Sequence, residues 1–253
     1  MARISSMNKI YHFLLRHRLL ILLTTLVFAV AAILAFLLYE GIIWFNIPSQ
    51  SKYPVRGIDV SHHQGKIDWN EVTQNDLQFV FMKATEGADH KDTRFQVNWT
   101  QALQAGLVRG AYHYFTFSKS GADQAHNFIE TVPNEPNTLP PVIDLEFMGN
   151  DKFQLDQRAL LRELNDFIRV IENHYQRKPL LYVTYEFYNF YLKGRTLPYS
   201  IWIRDIFWTP RLPDGKPWQF WQYSHRGRIK GINGFVDLNV FNGTTDQFGE
   251  LLQ

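Results

Sequence analysis

The stretch Pro141-Val142-Ile143-Asp144-Leu145-Glu146 decides how the chain is read. Pro141, Val142 and Ile143 are the apolar entry of a buried strand. Asp144 and Glu146 follow two residues apart, and strand side chains alternate, so both carboxylates face one side. Two acids on one face raise each other's proton affinity, which keeps one protonated near neutral pH and makes it a general acid beside an anion. The same pair could instead be held by Lys or Arg in a structural ion network. This stretch alone leaves both readings open.

Around it, residues 57–253 hold short apolar runs separated by helical or polar segments. Candidate strands are Gly57–Ser61, Phe79–Ala84, Val108–Phe115, Pro141–Glu146, Pro179–Thr184, Ile201–Asp205, Phe220–Ser224 and Phe235–Phe241. Helical patterns cover Asp92–Ala105, Gly121–Thr131 and Asp156–His174, the last with Leu160, Leu161, Leu164, Phe167, Ile168 and Ile171 at helical spacing. Alternation of this kind predicts an α/β fold with a mainly parallel sheet, and eight runs predict a barrel. Pro210, Pro213 and Pro217 argue against a regular helix in 206–219. The expected architecture is therefore an irregular, partly closed (β/α) TIM-like barrel with fewer helices than strands. Active-site groups of such barrels gather at the carboxyl ends of the strands. Asp59 on the first strand, Asp144 and Glu146 on the fourth and Asp237 on the last converge there if the sheet closes or nearly closes.

The amino-terminal end is different in kind. Residues 1–18 carry Arg3, Lys9, Arg16 and Arg18 and no acid, and residues 19–39 carry no charge. A run of that length can cross a bilayer as a helix, with the basic flank kept in the cytoplasm. A cleavable signal peptide is the alternative, since Ala29-Val30-Ala31 resembles a processing site. The apolar run continues to Leu38, which favours an anchor. The division is a basic tail (1–18), a transmembrane anchor (19–39), a juxtamembrane linker (40–54) and a working domain (55–253) outside the cytoplasm. Tyr39, Trp44 and Phe45 would form an aromatic belt at the outer interface.

Composition narrows the chemistry. The 253 residues carry a net charge of +2, which gives no reason to expect nucleic acid, and no Cys, which excludes disulfides and thiol catalysis. Aromatics make up 15% of the chain, which suits a sugar cleft as well as a core. Tyr112 and Tyr114 share one face of their strand and His113 takes the other; the tyrosines are the expected cleft residues. Tyr182 is either a sugar contact or a core tyrosine. Trp221 and Tyr223 form either an aromatic platform or packing. Glu86 lines a rim or makes a salt bridge. His62 and His63 lack the partner cluster a metal site needs, so neither metal nor cofactor is expected.

The stretches GIDVSHHQGKIDW (57–69), FVFMKATEG (79–87), DTRFQVNWTQALQAGLVRGAYHYF (92–115), PVIDLE (141–146), LLYVTY (180–185), FWQYS (220–224) and GFVDLNVFNG (234–243) resemble the family-25 glycoside hydrolases, the N-acetylmuramidase type of lysozyme. The resemblance covers essentially the whole working domain, with its motifs in order. It implies an irregular β/α barrel and cleavage of the β-1,4 bond between N-acetylmuramic acid and N-acetylglucosamine in peptidoglycan, with retention of configuration. It implies Glu146 as proton donor, Asp144 as its partner acid, either nucleophile or helper of the substrate's N-acetyl group, and Asp59 and Asp237 as further cleft carboxylates. Substrate contacts are expected from Tyr112, Tyr114, Tyr182 and Trp221. The apolar amino-terminal run lies outside the resemblance.

Overall fold

The computed structural model describes residues 2–150, 157–196 and 198–252, in two units divided between Trp44 and Phe45. The first unit is one helix, α1 (Ala2–Tyr39), which runs through the basic tail as well as the apolar segment. Its stretch Leu15–Tyr39 is long and apolar enough to cross a membrane. The Thr24 and Thr25 hydroxyls donate to carbonyls one turn back, so these two polar groups are satisfied within the helix. The helix stops at Gly41, whose φ of +68° turns its N–H onto the Leu38 carbonyl.

In the second unit the strands are β1 (Arg56–Val60), β2 (Phe79–Glu86), β3 (His90–Lys91), β4 (Val108–Tyr114) and β5 (Val142–Leu145). They continue with β6 (Leu180–Thr184), β7 (Ile201–Arg204), β8 (Phe220–Gly227) and β9 (Val236–Phe241). Parallel pairing runs from β1 through β2, β4, β5, β6 and β7 to β8. β9 is antiparallel to both β8 and β1 and closes the ring. The barrel is thus fully closed, where the sequence suggested partial closure. The short connection 228–235 has no room for a crossover helix, so β9 must return antiparallel. β3 is a two-residue addition on β2 outside the ring.

Helices α2 (Trp69–Val72), α3 (Phe95–Gln104), α4 (Gly121–Thr131) and α5 (Gln157–Tyr175) cover the outside. A short α6 (Tyr185–Phe187) continues as a π-helical turn, Tyr188–Leu192, and α7 (Thr245–Glu250) follows β9. The sequence pattern over-extended α3 by three residues at its start, where Asp92 instead bonds the Arg94 amide. Asp156, the expected start of the long helix, lies outside the described residues. No helix forms between β7 and β8, as the prolines there require.

Alternation sorts each strand into two cores. Outward residues such as Ile58, Val80, Met82, Ile143 and Val183 pack beneath α3, α4 and α5, the last through Leu160, Leu164, Phe167, Ile168 and Ile171. Inward residues fill the floor of the ring: Phe79, Phe81, Val142, Leu180, Trp202, Phe220 and Phe241. Phe81 stacks on Trp202 at 4.5 Å, and Phe79 meets Phe220 edge-on at 5.3 Å. The room for these rings comes from Gly57 and Gly110. A Cβ at Gly57 would lie 2.4 Å from the Phe79 ring, and one at Gly110 would lie 2.3 Å from the Phe81 ring.

The expected linker 40–54 is only partly free chain. Tyr53 is buried against Trp218 and Trp221, and Arg56 donates to the Pro48 carbonyl. Because the floor has no slack at Gly110, Gly110→Ala is expected to lower the unfolding free energy by about 1–3 kcal/mol, the usual cost of overpacking. Urea unfolding followed by near-ultraviolet circular dichroism measures it; an unchanged midpoint would mean that the rings move aside freely.

Candidate active site

Above the aromatic floor the inward positions turn polar. The register brings them to one level: Asp59 lies opposite Asp237 across β1 and β9, Tyr114 beside Asp144, and Asp144 beside Tyr182. Arg204 lies beside Gln222 and Gln222 opposite Asn239. Of these, Asp59, Asp144, Tyr182, Arg204, Gln222 and Asp237 border a cleft of about 280 Å³ at the carboxyl ends of the strands, whereas Tyr114 and Asn239 do not line it. Asp59, Asp144, Glu146, Asp237, Tyr112 and Tyr182 all line it, together with Met148, Trp202, Arg204, Gln222 and His225.

Asp59 is gripped by a chain of side chains whose polarity is set from its ends. The Trp202 indole N–H, which can only donate, bonds Asn239 Oδ1 at 2.9 Å. That turns the Asn239 amide NH₂ toward Asp59 Oδ2, at 2.8 Å. On the other side the Tyr182 hydroxyl donates to Gln222 Oε1 at 2.9 Å, and Gln222 Nε2 donates to the same Asp59 oxygen at 3.1 Å. Two amides thus present donors to one carboxylate oxygen, an arrangement that suits the anion. Burial pushes the Asp59 carboxyl up to about 6, against the pull of Asn239, Gln222 and the Arg204 charge.

The other three acids are also raised. Burial, then the Glu146 and Asp59 charges, drives Asp144 far above the usual carboxylate range, while Lys83 opposes the rise. Asp144 Oδ1 is buried with no hydrogen-bond partner among the described residues. Glu146, half-buried just past the end of β5, is raised by burial and the Asp59 charge, with Arg204 and Lys83 pulling down. Asp237 is raised by burial and by Asp59 across the ladder, with Arg204 opposing. Four carboxylates close together in a poorly solvated cleft titrate as a set, each charge raising the proton affinity of the others.

The tyrosines take the inner face of β4 and His113 the outer. His113 is buried between Thr85 and Gln124, at 2.7 and 3.1 Å, and burial lowers its pKa to about 3, so it is a neutral core residue. Tyr114 sits at the rim with Lys83 Nζ 5.0 Å above its ring. Glu86 forms a 2.6 Å ion pair with Lys83, and His62 pairs with Asp92 at 2.8 Å. Trp221 departs from the expected role of substrate contact. It faces outward, is buried against Tyr53, Trp218 and Tyr223, and donates to the Asp205 carbonyl at 2.7 Å, so it cannot serve as a sugar platform. Its neighbour Gln222 takes the inner face. Arg204, Trp202, Gln222 and Asn239 were the residues that sequence reasoning passed over. Strand parity could have found them: Asn239 stands two positions from Asp237, and Arg204 two from Trp202.

Residues 58–232 match the profile of Glycosyl hydrolases family 25. The YegX protein of Escherichia coli K12 is 38% identical over 83% of this chain and 77% of its own length. Lysozyme M1 of Streptomyces globisporus is 37% identical over 75% of this chain and 68% of its own. A solved family 25 glycosyl hydrolase from Bacillus anthracis superposes with a TM-score of 0.76 at 36% identity, covering 81% of this chain and 97% of that one. The profile match over most of the barrel, together with these identities and coverages, makes this chain a member of glycosyl hydrolase family 25.

Proposed function

We propose that this chain is a membrane-anchored muramidase that hydrolyses the β-1,4 bond between N-acetylmuramic acid and N-acetylglucosamine in peptidoglycan. The observation that carries the reading is the set of four carboxylates beneath one cleft, one of them, Asp59, clamped as an anion. Relatives named lysozyme and N,O-diacetylmuramidase support the substrate class. The apolar α1 supports an anchor, with the basic tail in the cytoplasm and the barrel outside.

Cleavage passes through an oxocarbenium-like transition state, so the site must protonate the leaving oxygen and stabilise positive charge on the sugar. Glu146 is the donor. Asp144 is the more strongly raised acid, but it is buried, whereas Glu146 is half-open to the cleft and can reach a glycosidic oxygen. The proton is delivered through Glu146. Asp144, one of whose oxygens has no hydrogen-bond partner among the described residues, faces the reacting sugar, as nucleophile or by holding the N-acetyl group. Asp59 and Asp237 supply negative potential beneath the developing cation, and Arg204 limits how far the set can be protonated.

Digesting purified peptidoglycan with the full chain, then reducing and analysing the products, tests the reading. New N-acetylmuramitol ends are expected; glucosaminitol ends alone would sink it. Glu146→Gln is expected to lower kcat by about 10²–10⁴-fold, the usual contribution of a general acid, with the unfolding midpoint retained. The raised acids also set a pH dependence of stability. An acid whose folded pKa exceeds its unfolded value binds more protons when folded, so stability falls as pH rises between the two values. For Asp59 that window runs from 3.8 to about 6. The unfolding temperature of the wild type should drop across it, and Asp59→Asn should flatten the slope; a steeper slope in the variant would refute the assignment. Tyr182→Phe frees the Gln222 amide to turn its oxygen to Asp59. The limb of the pH–rate profile set by Asp59 should then move to higher pH, with the barrel intact by circular dichroism.

A further inference from the structure

We infer that the loop after β7, together with residues 45–47, is a lipid-binding wedge that seats the rim of the cleft on the outer surface of the bilayer; this rests on the anchor reading above. These two segments carry four exposed large apolar side chains: Phe45 is 57% exposed, Ile47 64%, Phe207 50% and Trp208 77%. The Phe45 and Phe207 rings lie 5.5 Å apart. Asn46 Nδ2 donates to the carbonyls of Asp205 and Trp208, each at 3.3 Å, which fastens the two segments together.

The loop is built to hold its apolar residues outward. Asp205 Oδ1 accepts from the backbone N–H of Phe207 at 3.1 Å and of Trp208 at 2.8 Å. The Asp205 carbonyl accepts from the buried Trp221 indole at 2.7 Å. Trp221 is therefore the post on which the wedge is mounted. Asp205 Oδ1 and the Asp205 carbonyl are both engaged in this scaffold, and the large apolar side chains that the loop and residues 45–47 expose are three aromatic rings and an aliphatic group. That chemistry suits the headgroup boundary of a bilayer, where Trp and Phe are favoured. A sugar platform would pair its rings with free hydrogen-bonding groups.

Chain continuity selects the bilayer. Only residues 40–44 separate Tyr39, the end of α1, from Phe45, and a chain of that length reaches about 20 Å when fully extended. With α1 inserted, Phe45 cannot leave the membrane surface by more than that. The wedge also adjoins the site, because Arg204, which lines the cleft, directly precedes Asp205. The substrate is accordingly the glycan layer next to the membrane rather than distant wall.

The absence of Cys allows a direct test. Full-length Trp208→Cys, and separately Gln104→Cys at the opposite end of the barrel, are labelled with an environment-sensitive fluorophore. Each is reconstituted into phosphatidylglycerol–phosphatidylethanolamine vesicles with or without headgroup-level spin-labelled lipid. A blue shift and quenching at position 208, with neither at 104, supports the wedge. An unquenched 208 probe in protein that resists carbonate extraction overturns the wedge and leaves the anchor standing. Extraction of the protein by carbonate overturns both. A 208 probe that responds to soluble muropeptides and not to lipid overturns the wedge in favour of a glycan platform. Trp208→Ser should cleave soluble glycan fragments at the wild-type rate.

Discussion

Trp202 is the residue on which the rest of the barrel depends, because it does two jobs from one position. Its ring stacks on Phe81 and fills the floor of a closed eight-stranded ring. Its indole N–H orients Asn239, and through it the carboxylate of Asp59. Packing and electrostatics are thus fastened at one point. The floor excludes water from below, which raises every carboxylate above it, and the indole supplies the first link of the clamp that holds Asp59 against that rise. Dry surroundings alone would neutralise the whole set, and amide donors alone in water would do little.

The same economy shows at Gly57 and Gly110. Each gives up a side chain so that a phenylalanine from the neighbouring strand can cross the ring. The interior of a ring this small has no room for a side chain from every inward position. Bulk at Phe79 and Phe81 is bought with glycine beside them, and the layer above is then free for small and medium polar groups.

The fold was legible because eight apolar runs and three amphipathic helices announce themselves at short range. The four acids were legible because charged residues on apolar strands are expensive and rare. Closure was not, since it depends on β9 reversing direction, and a short connection reveals that only once its two strands are known to be neighbours. The clamp was hidden for a different reason. Gln222 and Asn239 are neutral, unremarkable in composition, and acquire meaning only from the side to which their strands turn them. Choosing Trp221 for its ring picked the outer face of β8, one residue away from the group that reaches Asp59. In strands, parity carries more information than residue type.

The antiparallel return of β9 also bears on the order in which the enzyme comes into being. Asp59 and Asn239 are 180 positions apart and meet only when the last strand slots between β8 and β1. A chain synthesised from its amino end makes β1 early and must leave one edge of it unpaired until β9 arrives. Joining ends so distant is entropically slow, so ring closure belongs to the late stages of folding. Until then the carboxylates have neither their floor nor their clamp. A hydrolase assembled this way has a built-in delay, because its acid-lined cleft is complete only once the carboxyl-terminal strand is in place.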